Sequence, residues 1–263
     1  MRNLFKIFKS DVFTKLPAGL FISLVCIAIL FVVFKDNNRE ISKSNESFFK
    51  GVDQINISKE KIKWADRINI AGPEIAYQEL KKEFSTQREE ARHSVIHLFG
   101  EILYNQKGIE GISVCDDAFG FGCFHGFFIA TLADKGNEVL VDLDKLCVEK
   151  FGPGDTGCQH GLGHGLVEYY GHNLNGINKA LLECEKTTQI AKKLGCTSGA
   201  FMEFNSSNSF TNSKKRVLDY SNSDFPCANI PSKFQESCYF ELGQLWLSML
   251  SMDYNMAGNF CLK

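Results

Sequence analysis

The stretch Cys158-Gln159-His160-Gly161-Leu162-Gly163-His164-Gly165 decides the fold, because parts of it recur along the chain. Cys123-Phe124-His125-Gly126 repeats its first half, and Cys196-Thr197-Ser198-Gly199 keeps the cysteine and the glycine. A fourth segment, Cys238-Tyr239-Phe240-Glu241, keeps only the cysteine. Successive members stand 35, 38 and 42 residues apart, the period of a helix–turn–helix repeat. Each has a second cysteine a short loop upstream: Cys115, Cys147, Cys184 and Cys227. Apolar segments at helical spacing flank the pairs, such as Phe127-Phe128-Ile129, Ala180-Leu181-Leu182 and Leu242 to Leu250. The reading is an all-α domain of helix–turn–helix repeats.

Within each repeat the two cysteines are expected to bond, tying the end of one helix to the start of the next. A loop of about ten residues closed this way contributes ~3 kcal/mol on the chain-entropy account. Spacing alone does not fix the partners, since eight cysteines allow about 105 pairings. Cys261 is left over near the C-terminus. The recurring glycines carry their own message. A glycine inside a helix costs about 1 kcal/mol relative to alanine, so its return at one offset points to close approach of a neighbouring helix.

Working outward to the N-terminus, Arg2, Lys6, Lys9 and Lys15 precede an unbroken apolar run from Leu16 to Phe34. A helix of that length just spans a ~30 Å hydrocarbon layer. No small-x-small cleavage site follows Phe34, which argues against a removed signal peptide. Bulky Val25 before Cys26, with apolar residues after it, argues against a lipidated cysteine. The expected order is a cytoplasmic tail (1–15), a signal-anchor transmembrane helix (16–34), a polar stalk, helical in part (35–72), and a domain over 73–263. Basic residues on the N-terminal flank favour a cytoplasmic N-terminus. Nine cysteines beyond the span, with no Cys-x-x-Cys, favour disulfides in an oxidising compartment, hence an extracytoplasmic domain at the cell membrane. The net charge of −2 argues against a nucleic-acid partner.

Local signals refine the domain. Pro73 suits a helix start, Thr86-Gln87-Arg88-Glu89 matches a capping box, and apolar spacing then predicts a helix over 87–104. Residues 205–225 are polar and read as a surface loop.

All six histidines lie between residues 93 and 172. His93 and His97 are four apart, as are His160 and His164, so each pair shares one helix face. His125 has the offset from Cys123 that His160 has from Cys158. Glu203, set among apolar neighbours, lies after Cys196 almost where His164 lies after Cys158. Metal sites in helical bundles are built from such inward-facing side chains. The expected ligand set is therefore His93, His97, His125, His160, His164 and Glu203. Glu168, Asp116 and Asp117 are weaker carboxylates, and His172 reads as a loop residue. Nitrogen-rich ligands with one carboxylate suit zinc or non-haem iron. The competing reading is of histidines hydrogen-bonded for structure alone. There is no His-Glu-x-x-His, phosphate-binding loop, Gly-x-Ser-x-Gly or Cys-x-x-Cys-His, so no catalytic template is complete.

The segments Cys158 to His164 and Cys196 to Glu203 resemble those of uncharacterised membrane-anchored bacterial envelope proteins. Those proteins carry Cys-x-His-Gly-x-Gly-His and a later Cys-x-x-Gly-x-x-Met-Glu. The resemblance covers His93 to Phe204, less than half of the chain, and implies no activity. Two function classes follow from the residues. One is a metal-binding module or metalloenzyme. The other is a disulfide-stabilised repeat scaffold presenting a groove to an envelope protein or glycan.

Overall fold

The computed structural model describes residues 55–188, 194–210, 222–250 and 252–261. The apolar run 16–34, its basic tail and most of the expected stalk lie outside the described residues. Among those described, no helix is long and apolar enough to cross a membrane. No strand occurs among them either. The helices are α1 (Ile57–Ala71), α2 (Pro73–Phe84), α3 (Glu89–Lys107), α4 (Ala118–Lys135) and α5 (Leu140–Phe151). They continue with α6 (Thr156–Tyr170), α7 (Leu174–Cys184), α8 (Cys196–Phe210), α9 (Ser232–Met249) and α10 (Tyr254–Cys261).

Four disulfides join Cys115–Cys123, Cys147–Cys158, Cys184–Cys196 and Cys227–Cys238, with Cα atoms 5.4–5.7 Å apart. These are the within-repeat pairings expected above. Cys147–Cys158 ties α5 to α6, and Cys184–Cys196 ties α7 to α8. The other two fasten the starts of α4 and α9 to the segments before them.

Helices α3, α4, α6, α8 and α9 pack one against the next in that order. Glycines form the contacts. A Cβ on Gly126 of α4 would lie 1.8 Å from the carbonyl oxygen of His97 on α3. One on Gly199 of α8 would lie 1.9 Å from the carbonyl oxygen of His160 on α6. Only hydrogen at these positions lets backbones meet, which is the physical reason for the recurrence seen in the sequence. The core between the helices is filled by Phe99, Phe124, Phe127, Phe128, Leu162 and Phe201, all essentially buried.

Three local expectations are revised. Within the 35–72 segment read as a stalk, α1 is an ordered helix capped by Asn56, whose Oδ1 accepts from Lys59 N at 3.0 Å. Its Trp64 and Ile68, four apart, are buried in the common core beside α3. The capping box at Thr86 does not form. Gln87 N bonds the carbonyl of Phe84 in the turn that closes α2, so α3 opens later, at Glu89. Helix α8 runs to Phe210 and takes in the first residues of the expected 205–225 loop, with Asn205 buried. Residues 211–221 of that loop lie outside the described residues.

Candidate metal centre

The order of packing brings the histidines together, because α3, α4 and α6 pack in succession and each contributes its own at a seam. His93 and His97 sit one turn apart on α3, with ring centroids 6.1 Å from each other. His125 of α4 lies 5.2 Å from His93 and 6.0 Å from His97. On its other side it stacks on His164 of α6 at 3.8 Å and lies 5.4 Å from His160. The two four-apart pairs therefore flank His125 rather than meeting directly. One nitrogen from each of His125, His160 and His164 falls within a span of 4.8 Å. His93 and His97 stand beside this trio as its α3 wall.

Partners outside the cluster fix the rings. His164 Nδ1 is 2.8 Å from Glu203 Oε2 on α8. His160 Nδ1 is 3.2 Å from Ser198 Oγ, and Ser198 in turn donates to Glu241 Oε1 on α9. His93 Nδ1 is 2.8 Å from the carbonyl oxygen of Phe119. That carbonyl comes from a short left-handed stretch, Phe119, Gly120 and Phe121, with φ of 51°, 68° and 60°. Left-handed backbone costs about 1–2 kcal/mol per non-glycine residue. The stretch also sets the Phe121 ring 6.3 Å from His160. Anchoring of Nδ1 by an outer acceptor is how metal-binding histidines are oriented with Nε2 forward.

Two observations stand out inside the cluster. His160 Nε2 and His164 Nε2 face each other at 3.1 Å. His125 is 1 % exposed, and neither of its ring nitrogens has a hydrogen-bond partner. A buried polar group left without a partner costs about 1–3 kcal/mol.

Burial also governs protonation. It holds His97 and His160 down at about 3, with the neighbouring imidazoles adding to the effect. His93 is lowered and His125 is held well below the ordinary value by the same cause. These rings are neutral at pH 7, the form that binds metal. Burial alone would raise Glu203, but hydrogen bonds with His164 and His172 outweigh it and keep the carboxyl well below its usual range.

Glu203 thus stands behind His164 instead of joining the three-histidine group. Its second oxygen, Oε1, is 3.0 Å from His172 Nε2. His172 does lie in the bend after α6, as the sequence suggests, yet it is half-buried against Glu203 and Glu168. The Glu168, His172 and Glu203 ligand atoms form a second group within 4.8 Å. Asp116 is engaged elsewhere, accepting from Tyr77 and Lys81 of α2. Asp117 occupies the N-cap position of α4 without a side-chain cap bond.

Sequence reasoning missed Ser198 and Glu241. The signal was present: Ser198 occupies the offset of His125 and His160, and Glu241 occupies the offset of the glycines. No family model, curated protein or solved structure matches the chain.

Proposed function

We propose that this domain binds a divalent metal ion, zinc or iron, through Nε2 of His160, Nε2 of His164 and a ring nitrogen of His125. The confrontation of the two Nε2 atoms at 3.1 Å carries the reading. Ser198 spends its single proton on Glu241, so its oxygen accepts from His160 Nδ1–H. His164 Nδ1–H donates to Glu203. With both imidazoles neutral, both Nε2 atoms carry lone pairs, which repel at this distance unless a proton or a metal ion lies between them. Nitrogens about 2.0–2.1 Å from a tetrahedral zinc ion stand roughly 3.3 Å apart, close to the separation found. The unpartnered nitrogens of His125 supply the third ligand. Three histidines leave one position for water or substrate, the ligand count of catalytic zinc sites.

The same reading places the domain outside the cell membrane, held by a single N-terminal helix over 16–34 with residues 1–15 in the cytoplasm. Four disulfides support an oxidising compartment. Glycine seams at a constant offset support the helix–turn–helix repeat. A second reading, a scaffold for an envelope protein or glycan, is favoured by exposed Tyr239, Phe240, Met252 and Tyr254 on and after α9.

Metal analysis of the purified full chain tests the proposal. Replacing His160→Ala and His164→Ala together removes one tightly held equivalent of zinc or iron and leaves all four disulfides in place. A wild-type chain without stoichiometric metal sinks it.

A further inference from the structure

The Glu203 carboxylate faces two ways. Oε2 meets His164 of the buried trio at 2.8 Å, and Oε1 meets His172 Nε2 at 3.0 Å. The same His172 nitrogen is 3.2 Å from Glu168 Oε2. One ring nitrogen carries at most one hydrogen, so it cannot donate fully to two carboxylate oxygens. Two like-charged groups and one nitrogen thus converge on a point that a single proton serves poorly.

Three separate parts of the chain create this convergence. Glu168 is one turn beyond His164 on α6. Gly171, with φ of 95°, ends that helix and turns the chain so that the His172 ring lies beside Glu168. Glu203 arrives from α8, 31 residues further on. The side chains of Glu168 and His172 are 19 % and 26 % exposed, against 5 % for His164, so water reaches these two more readily than the ring of His164.

We propose that Glu168, His172 and Glu203 form a second divalent-cation site at the rim of the domain, joined to the buried centre through Glu203 and His164. One nitrogen and two carboxylate oxygens within 4.8 Å suit a first-row ion such as zinc. Two carboxylates and a neutral imidazole balance an ion of charge +2. A buried site needs an entry path, and the rim site is where an ion coming from water first meets ligands. The link to the buried centre rests on the function proposed above; the rim site itself does not.

The test counts zinc on the full chain after loading with zinc alone and removal of excess, using elemental analysis and, in crystals, anomalous scattering. Wild type carries two equivalents. The Glu168→Gln/His172→Asn variant carries one, and so does the His125→Ala/His160→Ala variant. Disulfide mapping and helical circular dichroism confirm that each variant is folded, and His172→Asn alone is the fallback at the half-exposed position. Equal zinc in wild type and the folded Glu168→Gln/His172→Asn chain overturns the rim site and leaves the buried centre standing. A single equivalent lost in that variant but kept without His125 and His160 upholds the rim site and overturns the buried centre. A wild-type chain that takes up no zinc overturns both.

Discussion

The seams α3–α4, α4–α6 and α6–α8 differ from the seam α8–α9 at one sequence offset, three residues after the second cysteine of each disulfide. On the first three stands glycine. Gly126 abuts the backbone of His97, Gly161 abuts Phe124, and Gly199 abuts the backbone of His160. At the fourth stands Glu241, only 4 % exposed, which accepts a hydrogen bond from Ser198 on α8. Thr197 and Ser237 meet across the same seam, with hydroxyl oxygens 3.1 Å apart. The disulfide therefore pins the N-terminal part of a helix, while the residue three places on sets how near its neighbour comes. Glycine brings backbones together and squeezes histidines into a cluster. Glutamate holds the last helix off by a side chain and closes the series with hydrogen bonds that reach back to His160.

The largest effect should come from breaking a glycine seam. A methyl group at Gly126 or Gly199 would stand 1.8 or 1.9 Å from a backbone carbonyl oxygen, which no rotamer change relieves. Overpacking typically costs about 1–3 kcal/mol and more where backbone must move, so Gly126→Ala and Gly199→Ala are expected at or above ~3 kcal/mol. Gly243 on α9 has nothing near its Cβ position. Gly243→Ala should be neutral or stabilising by up to ~1 kcal/mol. Denaturant unfolding of the three variants decides, and comparable losses at all three would erase the distinction between the seams.

A smaller effect tests the fourth seam. Glu241→Ala removes the acceptor of the Ser198 proton. Ser198 is then free to donate to His160 Nδ1, which moves the ring proton to Nε2, toward His164. Loss of such an outer partner typically weakens metal binding about 10–100-fold. Glu241→Gln keeps an acceptor oxygen and should stay near wild type. Competition against a chelator measures both. If the two variants weaken binding equally, Glu241 acts through packing and not through the orientation of His160.

How much of this was legible follows from what each signal depends on. The disulfide pairs and the seam glycines are local regularities repeated several times, and repetition separates them from accident. The four-apart histidines follow from helix geometry alone. His172 gave no such signal, because its role depends on Glu203, 31 residues away, and on the turn at Gly171. Ser198 and Glu241 were hidden for another reason: each breaks a pattern, and a broken pattern reads as loss rather than substitution. The left-handed stretch at Phe119–Phe121 was illegible because two of its three residues are not glycine. Helix α1 looked like a stalk because its polar face dominates the count, although Trp64 and Ile68 mark a buried stripe.

The two regions should also answer acid with opposite signs, in the chain freed of metal by chelation. His97 and His160 are neutral in the folded domain and take up a proton only near pH 3, whereas in an unfolded chain they do so near 6.5. Between those values the unfolded state binds more protons. Stability from these rings is complete above about pH 6.5 and falls as pH drops, by up to ~1.4 kcal/mol per pH unit for each ring. Glu241 runs the other way. Burial raises its pKa, opposed in part by the hydrogen bond from Ser198, so its contribution is present at low pH and is lost as pH rises. Acidification from pH 6.5 therefore destabilises the domain through the histidines, with a partial offset from α9. His97→Gln should flatten the pH dependence of unfolding by about one proton, and Glu241→Gln should steepen it by a smaller amount. Urea titrations at half-unit steps between pH 4.5 and 7.5 resolve slopes of that size. A slope unchanged by His97→Gln would mean that the ring titrates in the folded state, and that the α3 wall of the cluster is wetter than its burial implies.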